Sequence, residues 1–269
     1  MLPEVLLSLR LTVDYPRKPG VLQDVSLEIK KGEVQGLVGQ SGCGKSTLAL
    51  AILKLLHLKR GRASGSIVFQ DRELTDLSER EMRRLRGKEI TLVLQSPMSA
   101  LNPALRIGTQ LAENWRIHRR GTREECRANL LRTLEDVSLP AEEEFLRRYP
   151  SQLSVGQAQR VLIAMAVMHR PALLVADEAT SALDVITQSE ILKLFATLNR
   201  NLGMSILFIS HDLLSVSTIS HSVAVMEQGR ILECRKTAEI FTSPHHPYTQ
   251  QLIRALPVPP VFAKTTAAN

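Results

Sequence analysis

Gly39-Gln40-Ser41-Gly42-Cys43-Gly44-Lys45-Ser46-Thr47 fits the pattern G-x-x-x-x-G-K-S/T, a spacing suited to holding phosphate groups. Glycines let successive backbone N–H groups point inward around β- and γ-phosphate oxygens, where a Cβ would obstruct them. Lys45 supplies a mobile positive charge, and the Ser46 hydroxyl can ligate Mg²⁺. The apolar run Val34 to Val38 precedes the loop, and Leu48, Ala51, Ile52, Leu55 and Leu56 follow it at helical spacing. That order is strand, loop, helix, and a helix opening at Lys45 adds the positive end of its dipole.

A second apolar run, Leu173 to Ala176, delivers Asp177 and Glu178 to its C-terminal end, the edge where open α/β sheets bind ligands. Asp177 can hold Mg²⁺, directly or through water, and Glu178 can orient or deprotonate an attacking water. Alone, an apolar strand ending in Asp-Glu is as often a solvated strand end. Beside the phosphate loop it reads as the other half of a nucleotide site. A third apolar run ends in Ser210-His211, so an imidazole reaches the same edge, placed to sense a γ-phosphate. Between these halves, Leu153-Ser154-Val155-Gly156-Gln157 opens another helix.

The elements that must position these groups follow from periodicity. Val5 to Tyr15 and Val25 to Ile29 alternate as half-buried antiparallel strands, with turn chemistry at Pro16 to Gly20 between them. Strands are also expected at Gly65 to Phe69 and Ile90 to Leu94, with a charged helix near Ser78 to Arg86. From about Ser96 to Pro150 strand signals vanish, and helices fit Ile107 to His118, Arg123 to Val137 and Glu142 to Tyr149. A helical insertion is the simplest account, since a structureless loop of that length is improbable. Strand–helix alternation resumes with helices at Gly156 to His169 and Val185 to Leu202, a strand at Ile206 to Ile209, and a hairpin around Gln228-Gly229. The fold class is therefore α/β with a mostly parallel sheet. Residues 1–257 read as one domain and 258–269 as a loose tail.

Composition excludes several other classes. With 269 residues and 44% hydrophobic, the chain can fill a real core. No apolar run approaches the roughly 18 residues needed to cross a bilayer, and the N-terminus lacks a basic region ahead of its apolar residues, so a soluble chain without a secretory signal is expected. Cys43, Cys126 and Cys234 lie too far apart for a metal-ligand spacing or a disulfide framework. The net charge of +7 includes a cluster at Arg83, Arg84, Arg86 and Lys88 and another at Arg116, Arg119, Arg120 and Arg123. Such stripes can meet nucleic acid or anionic lipid, but no aromatic residues are interleaved with them, so solvated helix faces are the simpler reading.

In order and spacing together, these motifs resemble the ATP-binding subunits of ABC transporters over nearly the whole chain. The resemblance makes Gly39 to Thr47 the Walker A loop, Asp177 and Glu178 the Walker B end, and Ser181 to Asp184 the D-loop. It makes His211 the switch histidine and Gln95 the Q-loop glutamine, a further Mg²⁺ contact. Ser154, Val155, Gly156 and Gln157 become the signature motif, which completes a partner's ATP site, and Tyr15 the ring that stacks on adenine. It implies an ABC-type nucleotide-binding domain: a RecA-like core, an N-terminal antiparallel β subdomain and an inserted helical subdomain at about 96–150. ATP and Mg²⁺ are the implied ligands. The implied partners are two transmembrane permease subunits, a second ATPase subunit forming a heterodimer or homodimer, and indirectly a periplasmic or extracellular binding protein. Nucleic acid is not among them, and the place implied is the cytoplasmic face of the plasma membrane, held peripherally.

Gln95 to Pro103 (QSPMSALNP) and Ser243 to Pro257 are similar to segments of the peptide and nickel importer subgroup, the second within a C-terminal extension at about 235–257. Nothing after Cys234 could complete a cysteine cluster there, so no iron–sulfur centre is expected, and His245-His246 reads as a surface turn. Two positions depart from the family pattern: Val155 replaces a glycine, and Ala179 a proline. If the turn requires a left-handed residue at 155, valine costs about 1–2 kcal/mol and weakens one of two ATP sites; in an extended conformation it is tolerated. A soluble ABC ATPase of DNA repair or translation is the alternative, but such chains carry two nucleotide domains or a long coiled-coil insertion.

Overall fold

The computed structural model describes residues 4–256; the tail expected at 258–269 and the last residue of the expected domain lie outside them. Strands run in the order β1 (Val5–Tyr15), β2 (Lys18–Lys30), β3 (Val34–Val38), β4 (Arg62–Phe69) and β5 (Arg72–Glu73). They continue with β6 (Ile90–Val93), β7 (Leu173–Asp177), β8 (Ser205–Ser210), β9 (Ser222–Glu227) and β10 (Arg230–Lys236). Helix α1 (Lys45–Ile52) follows β3, and α2 (Glu79–Leu85) precedes β6. The inserted helices are α3 (Pro97–Ala100), α4 (Ile107–His118), α5 (Arg123–Asp136) and α6 (Glu143–Arg147). Beyond them come α7 (Val155–Val167), α8 (Val185–Leu202), α9 (Leu213–Ile219), α10 (Thr237–Thr242) and α11 (Pro247–Arg254).

Two sheets organise these elements. The smaller is antiparallel in the order β2-β1-β4-β5, and the larger runs β10-β9-β3-β8-β7-β6. Strands β9, β3, β8, β7 and β6 are mutually parallel, with β10 antiparallel at one edge. Period-two alternation divides the larger sheet between two cores. Leu174 and Ala176 of β7, with Ile206 and Phe208 of β8, pack with the inserted helices, α7 and α8. Their neighbours Leu173, Val175, Leu207 and Ile209 pack with α1 and the antiparallel sheet. Burial on both faces explains why β7 and β8 read as continuous apolar runs rather than alternating ones.

Local rules explain the insertion. The Thr122 side chain accepts from Glu125 N while the Glu125 carboxylate accepts from Thr122 N, a capping box that starts α5. Cys126, Leu130, Thr133 and Leu134 then form its buried stripe at helical spacing. The structure corrects some boundaries. The turn expected at Pro16 to Gly20 is confined to Pro16 and Arg17, because β2 starts at Lys18 and Tyr15 pairs with Lys18. The helix expected over Glu142 to Tyr149 ends at Arg147, and a 3₁₀ turn at Pro150–Gln152 follows; proline disfavours helix in the residue before it.

Candidate phosphate-binding and active site

Helix α1 begins without a side-chain cap. Its N-cap, Gly44, has φ 117°, a conformation open to glycine, and a Cβ there would stand 2.6 Å from Leu22 Cδ2. The first-turn N–H groups of α1 are thus left for an external acceptor, at the positive end of the helix dipole. Lys45 is 4% exposed, and its Nζ donates to the carbonyls of Gly39 at 2.7 Å and Gln40 at 3.1 Å. The ammonium is satisfied by loop carbonyls, each a neutral acceptor that a phosphate oxygen can outcompete.

Strand β7 brings the carboxylates to this loop. Ser46 Oγ donates to Asp177 Oδ1 at 3.1 Å, and burial pushes the Asp177 carboxyl above its ordinary range while that hydrogen bond pulls it down. Hydroxyl and carboxylate together make a hard-oxygen pair of the kind Mg²⁺ takes, and a cation there would relieve the buried charge. Glu178 has φ 50°, unusual for a residue with a long side chain, and its N–H donates to Ile209 O at 3.0 Å. Its Oε1 lies 3.9 Å from Lys45 Nζ and 3.6 Å from His211 Nδ1. Gln95 Nε2 donates to Ser181 Oγ at 2.9 Å, and Ser181 Oγ donates to the Glu178 carbonyl at 3.1 Å. Gln95 is therefore also tied to the backbone of Glu178 through Ser181.

Tyr15, Ser41, Gly42, Lys45, Ser46, Thr47, Gln95 and Glu178 line one cleft of about 520 Å³, to which Asp177 is joined through Ser46 and His211 through Glu178. Lys18 and Val21 also line it, and the sequence reading missed both. Lys18 reaches it as the cross-strand partner of Tyr15, a pairing that the flanking proline and glycine conceal in the sequence. Cys43 is buried, its thiol pushed up by desolvation, so it packs rather than reacts.

The signature residues lie elsewhere, at the start of α7. Ser154 is the N-cap: its Oγ accepts from Gln157 N at 3.2 Å, and Gln157 Oε1 accepts from Ser154 N at 3.1 Å. Val155 is the first helical residue, 45% exposed and outside the positive-φ set, which corrects both conformations entertained for it. The backbone strain argued from left-handed geometry does not arise, because the serine cap sets the helix start one residue earlier. Gly156 is required by packing: a Cβ there would stand 2.7 Å from Thr187 Cγ2. Thr187 is held by Asp184, whose Oδ2 accepts from Thr187 Oγ1 at 2.7 Å and whose Oδ1 accepts the N–H groups of Ile186 and Thr187. The D-loop and the signature turn are thus one packed unit. Ala179 is buried in the core behind it.

The model of the ABC transporter family matches residues 22–181, more than half of the chain. The chain belongs to the ABC transporter family. Residues 232–266 also match the oligopeptide/dipeptide transporter C-terminal region. Among curated relatives, the glutathione import ATP-binding protein GsiA of Salmonella choleraesuis (strain SC-B67) is 43% identical over 242 residues, 88% of this chain and 39% of that protein. GsiA of Escherichia coli K12 is 40% identical over 247 residues, 90% of this chain and 40% of that protein. This ABC chain therefore spans about two fifths of the length of these relatives. Among solved structures, cbiO1 of Clostridium perfringens, part of the ABC transporter complex cbiONQ, superposes with TM-score 0.78 at 27% identity, covering 93% of this chain and 94% of that one. The dimeric ATP-binding cassette MJ0796 bound to ADP and Pi gives TM-score 0.74 at 28% identity, covering 86% of this chain and 99% of that one.

Proposed function

We propose that this chain is the ATP-hydrolysing subunit of an importer of small peptides, seated at the cytoplasmic face of a membrane against permease subunits. The observation that carries the reading is the position of Glu178, between Lys45 of the phosphate loop and His211 of the next strand end. In it Lys45 exchanges the Gly39 and Gln40 carbonyls for β- and γ-phosphate oxygens, and the α1 N–H groups hold the remainder. Ser46 and Asp177 would hold Mg²⁺, which supplies charge neutralisation of the phosphates. Glu178 orients the attacking water and accepts its proton, while His211 contacts that carboxylate and the γ-phosphate edge. Tyr15 offers a ring for the adenine face.

Ser154 stands apart from its own cleft, so the reading assigns it to the site of a second subunit. Two observations support that pairing. Val155, Val185 and Ile186 expose apolar side chains at the signature and D-loop, with Val185 at 82% and Ile186 at 75%. MJ0796, which this fold resembles, is dimeric. With Val155 unstrained, the geometry offers no reason for two unequal ATP sites. Leu94 and Met98 likewise expose apolar surface on either side of Gln95, at the root of the helical insertion, where a permease would couple to the cleft. Among the described residues no helix is long and apolar enough to cross a membrane, and the reading draws the pathway from the permease subunits. Peptide is favoured over nickel because the C-terminal region matches oligopeptide/dipeptide transporters and the relatives are named for glutathione, itself a tripeptide.

The test is co-purification of the tagged chain with the permeases encoded beside it, followed by reconstitution into vesicles. ATP-dependent uptake of labelled glutathione or dipeptide, lost on Glu178→Gln, is the expected result. Recovery with ribosomes or DNA and no permease would refute the reading.

A further inference from the structure

The basic cluster at the far side of the insertion is not used by the ATP site. Two of its arginines, Arg119 and Arg120, join Arg132 around a cleft of about 500 Å³ between the C-terminal end of α4 and the middle of α5. Trp115, Arg119, Arg120, Glu125, Asn129 and Arg132 line it. Among the described residues, none of these three guanidinium groups makes a hydrogen bond or ion pair. The one acid is already engaged, since Glu125 Oε2 accepts from Thr122 N at 2.7 Å in the cap of α5.

Two buried polar atoms in the lining are also unmatched. Trp115 is 4% exposed, yet its indole Nε1 has no hydrogen-bond partner, and neither has the buried Asn129 Oδ1. Buried polar atoms are nearly always paired, and leaving one unpaired costs about 1–3 kcal/mol. Both atoms are closed to solvent beneath the cleft floor, so the groups open to a ligand are the three unpaired guanidinium groups, and these describe an anion.

We propose that this cleft binds a small phosphate-bearing molecule, with the phosphate held by Arg119, Arg120 and Arg132. Guanidinium forks match phosphate oxygens in bidentate fashion, which favours phosphate over a single point anion. The phosphate can come from a soluble ester or from a lipid headgroup. The second source is worth testing because Ile117, 70% exposed, stands beside the arginines as an apolar contact.

Trp115 is the chain's single tryptophan, so its fluorescence reports on this cleft alone. The full-length chain, with Mg-ADP saturating the nucleotide site, is titrated with glycerol 3-phosphate, with glycerol, and with vesicles of phosphatidylglycerol or phosphatidylcholine. A saturable change with glycerol 3-phosphate and none with glycerol supports a soluble ester. A change only with phosphatidylglycerol vesicles supports the lipid source. In either case Arg119→Gln and Arg132→Gln, both at exposed positions, should each weaken binding about tenfold or more. No change at millimolar ligand in low salt, or binding that survives both substitutions together, overturns the proposal.

Discussion

Two helices of this chain begin beside motifs of phosphate chemistry, and they begin in opposite ways. Helix α1 starts at a bare Gly44, so its N–H groups have no partner from a side chain. Helix α7 starts at Ser154, where serine and Gln157 satisfy each other. The first terminus is organised for an anion held inside its own chain, with Lys45 waiting on carbonyls nearby. The second is complete in the free chain but not exhausted. A hydroxyl that accepts from an N–H still has its proton to give, so Ser154 can donate to an anion without losing its cap. An uncapped terminus needs its ligand for stability as well as for function, whereas a capped one can stay exposed and rigid until a partner arrives.

The largest expected effect is on the chemistry at the first terminus. Glu178→Gln should keep Mg-ATP binding and lower turnover by roughly 10²–10⁴-fold, about 3–5 kcal/mol of barrier, in the assembled complex. Turnover within a few-fold of the parent would remove Glu178 from its role. Next comes Gly44→Ala, which places a Cβ against Leu22 and Val21 and forces a left-handed alanine costing about 1–2 kcal/mol. Equilibrium binding of a fluorescent nucleotide should fall with it, and unchanged affinity would show that the loop tolerates a side chain.

At the second terminus Gly156→Ala should cost about 1–3 kcal/mol through overlap with Thr187, lowering Tm by about 2–4 °C per kcal/mol. The double variant with Thr187→Ser should recover part of that loss, because Cγ2 is the obstructing atom. Ser154→Ala should cost about 1 kcal/mol as a lost cap, in a thermal melt of the chain alone. Asp177→Asn should raise Tm of the nucleotide-free chain at neutral pH. Burial lifts the Asp177 pKa, so the ionised form disfavours folding above that value, and the gain should fade as pH falls through it. A melt that drops at neutral pH would contradict the sign. The smallest effect is expected from Val155→Gly, which should leave ATPase activity within about twofold, since valine is unstrained at an exposed first helical position.

The half of the site written in contiguous residues was legible in the sequence: the phosphate loop between strand and helix, and carboxylates closing an apolar strand. The helical insertion was legible for the same reason, since its periodicity is local. Part of what escaped was set by contacts distant in sequence. Nothing near Gly156 announces Thr187, and nothing near Gln95 announces its hydrogen bond to Ser181. Val155 misled because a glycine position suggests left-handed backbone, while the neighbouring serine dictates a helix start. Lys18 was assigned to a turn because proline and glycine bracket it, although strand pairing with Tyr15 extends through it.

The left-handed backbone of Glu178 has an evolutionary consequence. A glycine at that position would relieve about 1–2 kcal/mol, so drift toward greater stability leads away from activity there. The glutamate persists only while its carboxylate is useful to the organism. On the proposed reading, a copy of this gene no longer selected for ATP turnover would be expected to lose that residue early and to gain thermal stability.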